Sequence, residues 1–276
     1  MKSLLEKLET FLMPLCKEGV ALAFSGGVDS TLLLAVLSRM QKKTAFPLLV
    51  LNAVSTLQSV QDKEAVDKAA LEYGVKVDSL SCDVLSLPEV RNNDISRCYH
   101  CKKMLFNTML DFAAGQGIST LLEGSHADDL KAYRPGRKAL EELGVVSPFS
   151  RLGITKQQIR SLAAWLNVAV AERPASPCLA TRFDYGTLLT AEKLQQTAKG
   201  EAFLRTLLPA NADLRLRVHG PLARIEVNTC FFPLLVSRRE EIADTLKKIG
   251  FERVTLDLEG FSSGSYDGKL KKKENI

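Results

Sequence analysis

The sequence predicts an α/β fold, in which a parallel sheet covered by helices is followed by a smaller α+β domain. Two observations lead to this fold class. Through about residue 170, short apolar runs alternate with segments that have the apolar spacing of helices. Beyond Pro174, Pro177 and Gly186 this regular alternation ends. We therefore place the domain boundary near residue 185, which gives domains 1–185 and 186–276.

The elements of the first domain follow one another in regular order. The predicted strands are 19–24, 46–52, 75–80 and 120–124, and the predicted helices are 3–16, 28–41, 58–73, 99–115 and 155–167, the last with Trp165 on its apolar side. Apolar strands joined by helices form parallel sheets that are covered on both faces. Ligands of such sheets bind beyond the carboxyl ends of the strands, where Ser25, Asn52 and Gly124 lie.

The second domain is predicted to be a small mixed fold. Thr190 is a suitable N-cap for its first helix. We interpret the basic tail at 269–273 as a solvated chain end. The predicted elements are a helix at 191–207, strands at 214–219 and 223–227, a helix at 232–249 and a strand at 253–258.

Composition and charge narrow the classes of function. The 276 residues carry a net charge of +5, which is too mild to require nucleic acid but suits anionic small molecules. No apolar run approaches the roughly 18 residues that a membrane span needs. The first residues become amphipathic instead of continuing as a signal sequence. We therefore expect a cytoplasmic protein without a membrane partner, and we do not expect nucleic acid as its partner.

A loop of small residues connects the first predicted strand to the next helix. It reads Ser25-Gly26-Gly27-Val28-Asp29-Ser30. Glycines remove side-chain bulk, while serine hydroxyls and the first N–H groups of a helix donate hydrogen bonds, so the loop suits a phosphate. It resembles the PP-loop of ATP pyrophosphatases, which implies that Ser25, Gly26, Gly27 and Ser30 hold the pyrophosphate end of ATP, and that Asp29 holds the turn or Mg²⁺. A glycine-serine turn that only caps a helix is the alternative.

A second polar segment, Glu123 to Asp129, leaves the fourth predicted strand toward the same cleft. We assign Asn52, Gly124 and Asp128 to the nucleotide site, and His126 is the histidine best placed to join them. Two adjacent carboxylates suit a metal ion, but a helix N-terminus also attracts aspartate. Which of Asp128 and Asp129 acts at the site therefore stays open.

The cysteines divide into two groups. Without an export signal, clustered thiols are first considered as metal ligands or reactive groups. Cys98 and Cys101 open a predicted helix, where their spacing puts both on one face, and Cys178 lies in an irregular segment rich in small residues. An iron–sulfur cluster, zinc and uncoordinated thiols are all compatible with these three. We expect the others to be buried packing residues: Cys16, Cys82 and Cys230.

Several further segments resemble the LarE family of ATP-dependent sulfur transferases, in order over nearly the whole chain. Besides the PP-loop, they are Tyr133 to Gly136, Ser176 to Cys178, Arg182 to Thr187, Arg215 to His219 and Val254 to Phe261. The resemblance implies a Rossmann-like PP-loop sheet of the adenine nucleotide alpha hydrolase type. It also implies the substrate pyridinium-3,5-biscarboxylic acid mononucleotide, whose carboxylates are adenylated and converted to thiocarboxylates for the nickel-pincer cofactor. A homo-oligomer is expected as well.

The resemblance implies catalytic roles for Asp29 and Cys178, and two alternative sulfur sources. In the best-known form of the family, the cysteine at the Cys178 position is consumed. Members of that form lack the pair at Cys98 and Cys101, so this chain resembles the three-cysteine form, in which all three thiols bind a [4Fe–4S] cluster. The open iron of that cluster would carry an extra sulfide. The physiological sulfur donor is not indicated by the sequence.

Four arginines are candidate substrate ligands. Arg215 and Arg217 are two apart in a predicted strand and share a face, which suits the phosphate of the substrate, although a solvated face is the alternative. We expect Arg134 and Arg182 to contact phosphate or carboxylate groups within the cleft, and ion pairing at the surface is the alternative. Two other functions stay open. A tRNA thiolase would need an extended basic surface, and a nucleotide or cluster sensor would bind ATP without cleaving it.

Overall fold

The computed structural model describes residues 1–131, 136–169, 177–209 and 211–262. The chain divides into two compact units, Met1–Ser176 and Pro177–Ile276, and each unit has a sheet of its own. No helix in these ranges is long and apolar enough to cross a membrane.

The first unit is a parallel α/β sheet, as predicted. Its strands lie in the order β3-β2-β1-β4, and every neighbouring pair is parallel. The strands are β1 Val20–Ala23, β2 Leu48–Val54, β3 Val77–Ser81 and β4 Leu121–Leu122. The helices are α1 Lys2–Cys16, α2 Val28–Gln41, α3 Val60–Tyr73, α4 Pro88–Arg91, α5 Arg97–Gly115, α6 Gly136–Glu142, α7 Pro148–Arg151 and α8 Lys156–Trp165.

The core of this unit is built around α2. Leu32, Leu33 and Leu34 of this helix are all fully buried, because α1, α3 and α8 pack around it beside the sheet. A helix that is apolar on several sides is stable only inside such a core. The carboxyl end of β1 leads directly into α2, so the loop between them is held on both sides by buried structure.

The second unit contains three strands and three helices within the described residues. β5 and β6 form an antiparallel hairpin that turns at Gly220, whose φ of +58° favours glycine, and β7 pairs with β6 in parallel. The elements are α9 Ala191–Thr206, β5 Leu214–His219, β6 Leu222–Val227, α10 Phe232–Ser237, α11 Arg239–Ile249 and β7 Arg253–Leu256.

The structure differs from the sequence-based prediction in several of its helices. The helix predicted at 232–249 is interrupted at Arg238. Short helices α4 and α7 were not predicted, because four residues are too few to show a helical period. Nor was α6. Trp165 is 50% exposed at the last position of α8, so its placement on the apolar side was wrong.

The units divide at residue 176 instead of near 185 because the intervening segment packs on the second unit. Buried Arg182 binds Glu201 of α9 through Nε and Nη2, at 2.7 and 2.9 Å. Phe183 forms an isolated parallel bridge with Val218 of β5. Proline and glycine residues in the sequence mark an irregular segment, but they do not indicate which sheet holds it.

Gly200 makes a close contact between α9 and β5 possible. A Cβ at this position would lie 2.5 Å from Cδ2 of Leu216, which is fully buried. We expect Gly200→Ala to lower the free energy of unfolding by about 1–3 kcal/mol through overpacking, although alanine is the better helix former. Urea denaturation followed by circular dichroism measures the change.

Gly115→Ala is the matched control for this prediction. Gly115 is also helical, but a Cβ there would meet nothing within 4 Å. We expect it to leave stability unchanged or raise it by up to about 1 kcal/mol. If both variants gain stability, the close packing of α9 on β5 is contradicted.

Candidate functional site

The loop at 25–30 is shaped by a glycine that no other residue can replace. Gly26 has a φ of +70°, in the left-handed region. A Cβ on Gly26 would lie 2.9 Å from the backbone nitrogen of Val66 in α3. Both the backbone conformation and the space therefore require glycine, and the loop lies directly against α3.

Two serines close the loop onto the beginning of α2. The N–H of Ser25 donates to Oγ of Ser30 at 3.3 Å, and the two hydroxyl oxygens are 3.2 Å apart. Gly27 is the N-cap of α2 and provides no side-chain cap. In contrast, Ser59 and Thr155 cap the first turns of α3 and α8. The first turn of α2 thus has backbone donors without a capping side chain, which is the arrangement that binds phosphates.

A cavity of about 570 Å³ opens beside this loop. It brings together five of the predicted site residues: Ser25, Asp29, Ser30, Asn52 and Gly124. The amide of Asn52 donates to the carbonyl of Phe24 at 2.6 Å, which joins the ends of β2 and β1. A Cβ on Gly124 would lie 2.9 Å from Cβ of Asp29, so the segment after β4 passes close to the first turn of α2.

Lys156 is a site residue that sequence reasoning missed. Its Nζ donates to both carboxylate oxygens of Asp29, at 2.7 and 2.6 Å, and both residues line the cavity. Thr155 caps α8 and thereby sets Lys156 at the first helical position. The Thr155–Gln158 capping box is visible in the sequence, but a cap does not indicate that the next residue reaches another helix.

Asp128 and Asp129 have different positions. Asp129 lines the cavity, whereas Oδ2 of Asp128 accepts a hydrogen bond from the backbone N–H of Lys156 at 2.8 Å. His126 also lines the cavity, with Nδ1 3.8 Å from Asp128 and Nε2 3.5 Å from Asp129. Asp128 therefore joins the segment after β4 to α8, whereas the carboxylate of Asp129 lies at the cavity wall.

The pair Cys98 and Cys101 lies on the helix that forms another wall of the cavity. Lys102, Leu105, Phe106 and Met109 of α5 line the cavity. Cys98 is four residues before Lys102, and Cys101 is four residues before Leu105. Residues four apart are neighbours along a helix, so each thiol lies one turn before a residue that lines the cavity, but neither thiol is itself part of the lining. Both are half-buried.

Helix α6 fixes the turn that carries this thiol pair. A Cβ on Gly136 would lie 2.6 Å from Cδ of Lys102 and 3.2 Å from the carbonyl oxygen of Cys98. Glu142 of α6 accepts hydrogen bonds from Tyr99 and Lys103 at 2.7 and 2.8 Å. These two donors hold the pKa of Glu142 below its usual range.

Cys178 lies in the second unit, in a loop held by Arg182. Nη1 of Arg182 donates to the carbonyl of Pro177 at 2.8 Å and contacts that of Cys178 at 3.4 Å. Arg182 was predicted to contact the substrate, and in the structure the carboxylate it binds is that of Glu201. Arg134 lies outside the described residues.

Arg215 and Arg217 share a face of β5, and this face is buried instead of solvated. They are only 5% and 1% exposed. Glu226 of β6 lies 3.0 Å from Arg217, 3.0 Å from Arg224 and 4.0 Å from Arg215. Arg224 also lies 3.4 Å from Asp257, so Arg215 and Arg217 depend most on the shared carboxylate of Glu226. Burial, together with nearby Arg217 and Arg182, lowers the pKa of Arg215 to about 10. An anion at this face would be stabilised by the excess of positive charge.

The remaining cysteines follow the prediction in two cases. Cys16 and Cys82 are buried, and burial raises the pKa of the Cys16 thiol to about 11. The prediction for Cys230 was wrong, because this thiol is exposed in the short turn before α10. Within the described residues of each unit, no three His, Cys, Asp or Glu side chains are grouped to hold a metal ion by themselves. The predicted metal sites therefore stay predictions.

Comparisons with known proteins identify a domain family and several relatives of this chain. A family model described as a PP-loop domain matches residues 1–132. The chain is 33% identical to the pyridinium-3,5-bisthiocarboxylic acid mononucleotide synthase of Lactiplantibacillus plantarum, over 92% of this chain and 90% of that protein. It is 34% identical to the uncharacterized protein slr1717 of Synechocystis sp., over 99% and 100% of the two chains.

A third relative is the uncharacterized protein MJ0830 of Methanocaldococcus jannaschii. It is 30% identical, over 88% of this chain and 91% of that protein. The similarity therefore extends through both units and is not confined to the PP-loop domain. The chain belongs to the LarE-type family of ATP-dependent sulfur transferases, which includes the pyridinium-3,5-bisthiocarboxylic acid mononucleotide synthase.

Proposed function

We propose that the chain uses ATP to adenylate the carboxylates of pyridinium-3,5-biscarboxylic acid mononucleotide and inserts sulfur to give the bisthiocarboxylate. The observation that carries this proposal is that Cys98 and Cys101 lie on the helix that forms a wall of the PP-loop cavity, one turn before Lys102 and Leu105, which line it. Soft sulfur donors on such a helix suit a reaction in which activation by ATP is followed by sulfur transfer. The name of the Lactiplantibacillus relative supports the choice of substrate.

The first step requires a carboxylate oxygen to attack the α-phosphorus of ATP. The bond to the β-phosphate breaks, pyrophosphate leaves with the electron pair, and an acyl-adenylate forms. Ser25, Ser30 and the first turn of α2 would hold the leaving pyrophosphate. Lys156 would add a positive charge where the phosphates lie, and Asp29 keeps its ammonium group in the cavity.

Magnesium would enter with ATP, because phosphate oxygens supply most of the ligands this hard cation requires. Asp129 brings a carboxylate to the cavity wall, and the carboxylate of Asp29 lies there paired with Lys156. These donors fit Mg²⁺, and the absence of a closed protein ligand set among the described residues of this unit is expected for a metal that binds through its substrate.

The second step requires a sulfur nucleophile to attack the acyl carbon. The bond between carbon and the AMP oxygen breaks, and AMP leaves because its phosphate is a far better leaving group than hydroxide. The three thiols Cys98, Cys101 and Cys178 fit a [4Fe–4S] cluster by donor chemistry, since cluster irons bind thiolates. When bound, such a cluster would supply sulfide at its open iron.

The arginine face of the second unit is the proposed site for the phosphate of the mononucleotide. Arg215 and Arg217 are buried beside Glu226, and Arg182 and Arg224 bring further positive charge. These four arginines outnumber the nearby carboxylates of Glu226, Glu201 and Asp257, so a phosphate would be stabilised there. Arg224 joins them from β6. The lowered pKa of Arg215 is consistent with a guanidinium group that gains from an anionic partner.

The PP-loop prediction is tested by Gly26→Ala. The added Cβ meets backbone atoms of α3 and strains a positive φ, so we expect substrate-dependent pyrophosphate release to fall at least about tenfold. Gly74→Ala is the control, because Gly74 has a similar φ of +62° but nothing within 4 Å. Equal losses in both variants would mean that strain alone, and not the loop, controls activity.

The substrate is tested by comparing pyrophosphate release in the presence of the pyridinium mononucleotide and of tRNA. We expect release with the mononucleotide only, because it carries both the carboxylates to be activated and a phosphate suited to the arginine face. Release that depends on tRNA would favour the thiolase alternative. ATP binding without any substrate-dependent release would favour a sensor.

The cluster is tested by anaerobic purification and chemical analysis of Cys98→Ala. We expect the unaltered protein to be brown, with up to about four iron atoms and labile sulfide per chain, and the variant to lack both. Cys230→Ala is the control, because this thiol is exposed and lies in a different segment. A colourless protein loaded with zinc would contradict the cluster.

The sulfur source is tested by mass spectrometry of the intact chain after one turnover. Recycling through a cluster leaves the polypeptide mass unchanged. A loss of about 34 Da on the peptide with Cys178, the mass of hydrogen sulfide, would mean that the cysteine itself is consumed. We expect the unchanged mass, because the pair at 98 and 101 offers the additional ligands that recycling needs.

A further inference from the structure

All three guanidinium nitrogens of Arg182 donate hydrogen bonds within the second unit. Nε and Nη2 bind the carboxylate of Glu201 at 2.7 and 2.9 Å. Nη1 donates to the carbonyl of Pro177 at 2.8 Å and to Oγ1 of Thr181 at 2.9 Å. The residue is 4% exposed. Its hydrogen bonds therefore connect the loop that carries Cys178 to helix α9.

Thr181 completes the hold on this loop. Its hydroxyl donates to the carbonyl of Cys178 at 2.8 Å, and its N–H donates to the same oxygen at 3.0 Å. The carbonyl of Thr181 accepts a hydrogen bond from Arg217. The backbone at Cys178 is consequently fixed from two directions, by Arg182 toward α9 and by Thr181 toward the arginine face of β5.

Glu201 links the same network to the sheet. Its Oε1 accepts the backbone N–H of Leu216 at 2.9 Å in addition to Nε of Arg182. A planar group with five donors can satisfy a carboxylate and several carbonyl and hydroxyl oxygens at once, which lysine cannot do. Arg182 is thus well suited to hold a loop and has few donors left for a ligand.

We propose that Arg182 is a positioning residue that sets the Cys178 thiol for sulfur transfer, with Thr181 as its partner, and is not a ligand of the substrate. The inference rests on the proposed function, in which Cys178 takes part in the second step. It predicts that loosening the loop separates the two steps. Adenylation, which depends on the PP-loop cavity, continues, while sulfur transfer fails.

The test uses Arg182→Lys and Thr181→Val in the full chain. We expect each variant to release pyrophosphate within about twofold of the unaltered protein. The thiocarboxylate formed per pyrophosphate should fall at least about tenfold, because small displacements of a reacting group have large effects on rate. If the variants raise the KM for the mononucleotide but leave the thiocarboxylate formed per pyrophosphate unchanged, Arg182 is a substrate ligand and the proposal is overturned.

Thr197→Val is the matched control. Thr197 is a buried threonine of α9 whose hydroxyl donates to the carbonyl of Lys193 at 2.8 Å, remote in sequence from the Cys178 loop. We expect the product ratio to be unchanged in this variant. If Thr197→Val lowers the ratio as much as Thr181→Val, a general loss of packing explains the effect and the proposal fails.

A second measurement separates this inference from the proposed function. The rate at which iodoacetamide alkylates Cys178 is followed by peptide mass spectrometry, with exposed Cys230 of the same unit as an internal standard. We expect both test variants to raise the Cys178 rate at least about threefold relative to Cys230, since the loop opens more often. An unchanged rate overturns the inference even if the unaltered protein forms thiocarboxylate. A raised rate in a chain that forms none supports the positioning of the loop and contradicts only the proposed function.

Discussion

The nucleotide cavity depends on backbone segments that approach the first turn of α2 more closely than side chains would permit. Gly26 lies against the backbone of α3, and Gly124 lies against Asp29. With any larger residue, the loop would move away from α3 or the segment after β4 would move away from α2. The uncapped donors of α2 and the ion pair of Asp29 with Lys156 then occupy one small space. The phosphate-binding character of the first unit follows from this close packing.

The second unit is organised by buried charge. Removing a guanidinium group from water is costly unless a carboxylate and further hydrogen-bond acceptors replace the solvent. Arg182 meets this condition fully through Glu201 and the loop carbonyls. Arg215 meets it less well, since its nearest carboxylate is 4.0 Å away and shared with two other arginines. One arginine is thus suited to hold structure, and the other to receive an anion.

Much of the fold and part of the site could be predicted from sequence because the signals are local. The run from β1 through Gly26 to α2 contains its own strand, turn and helix pattern, and the structure has each of them. Lys156 was missed because its partner, Asp29, is 127 residues away. The ion pair of Arg182 with Glu201 could not be predicted for the same reason: the type of residue indicates which partners suit it, but only the packing of α9 shows which partner it has.

One rigid helix carries both the thiol pair and a wall of the cavity. Every residue inserted into α5 between Cys101 and Lys102 would turn the sulfurs by about 100° and advance them by about 1.5 Å relative to the nucleotide. Only changes close to whole helical turns would keep the alignment. Among proteins that share this sheet, the number of residues between the thiol pair and Lys102 is therefore a criterion of its own. It distinguishes those proteins in which the thiols keep this position relative to the nucleotide cavity.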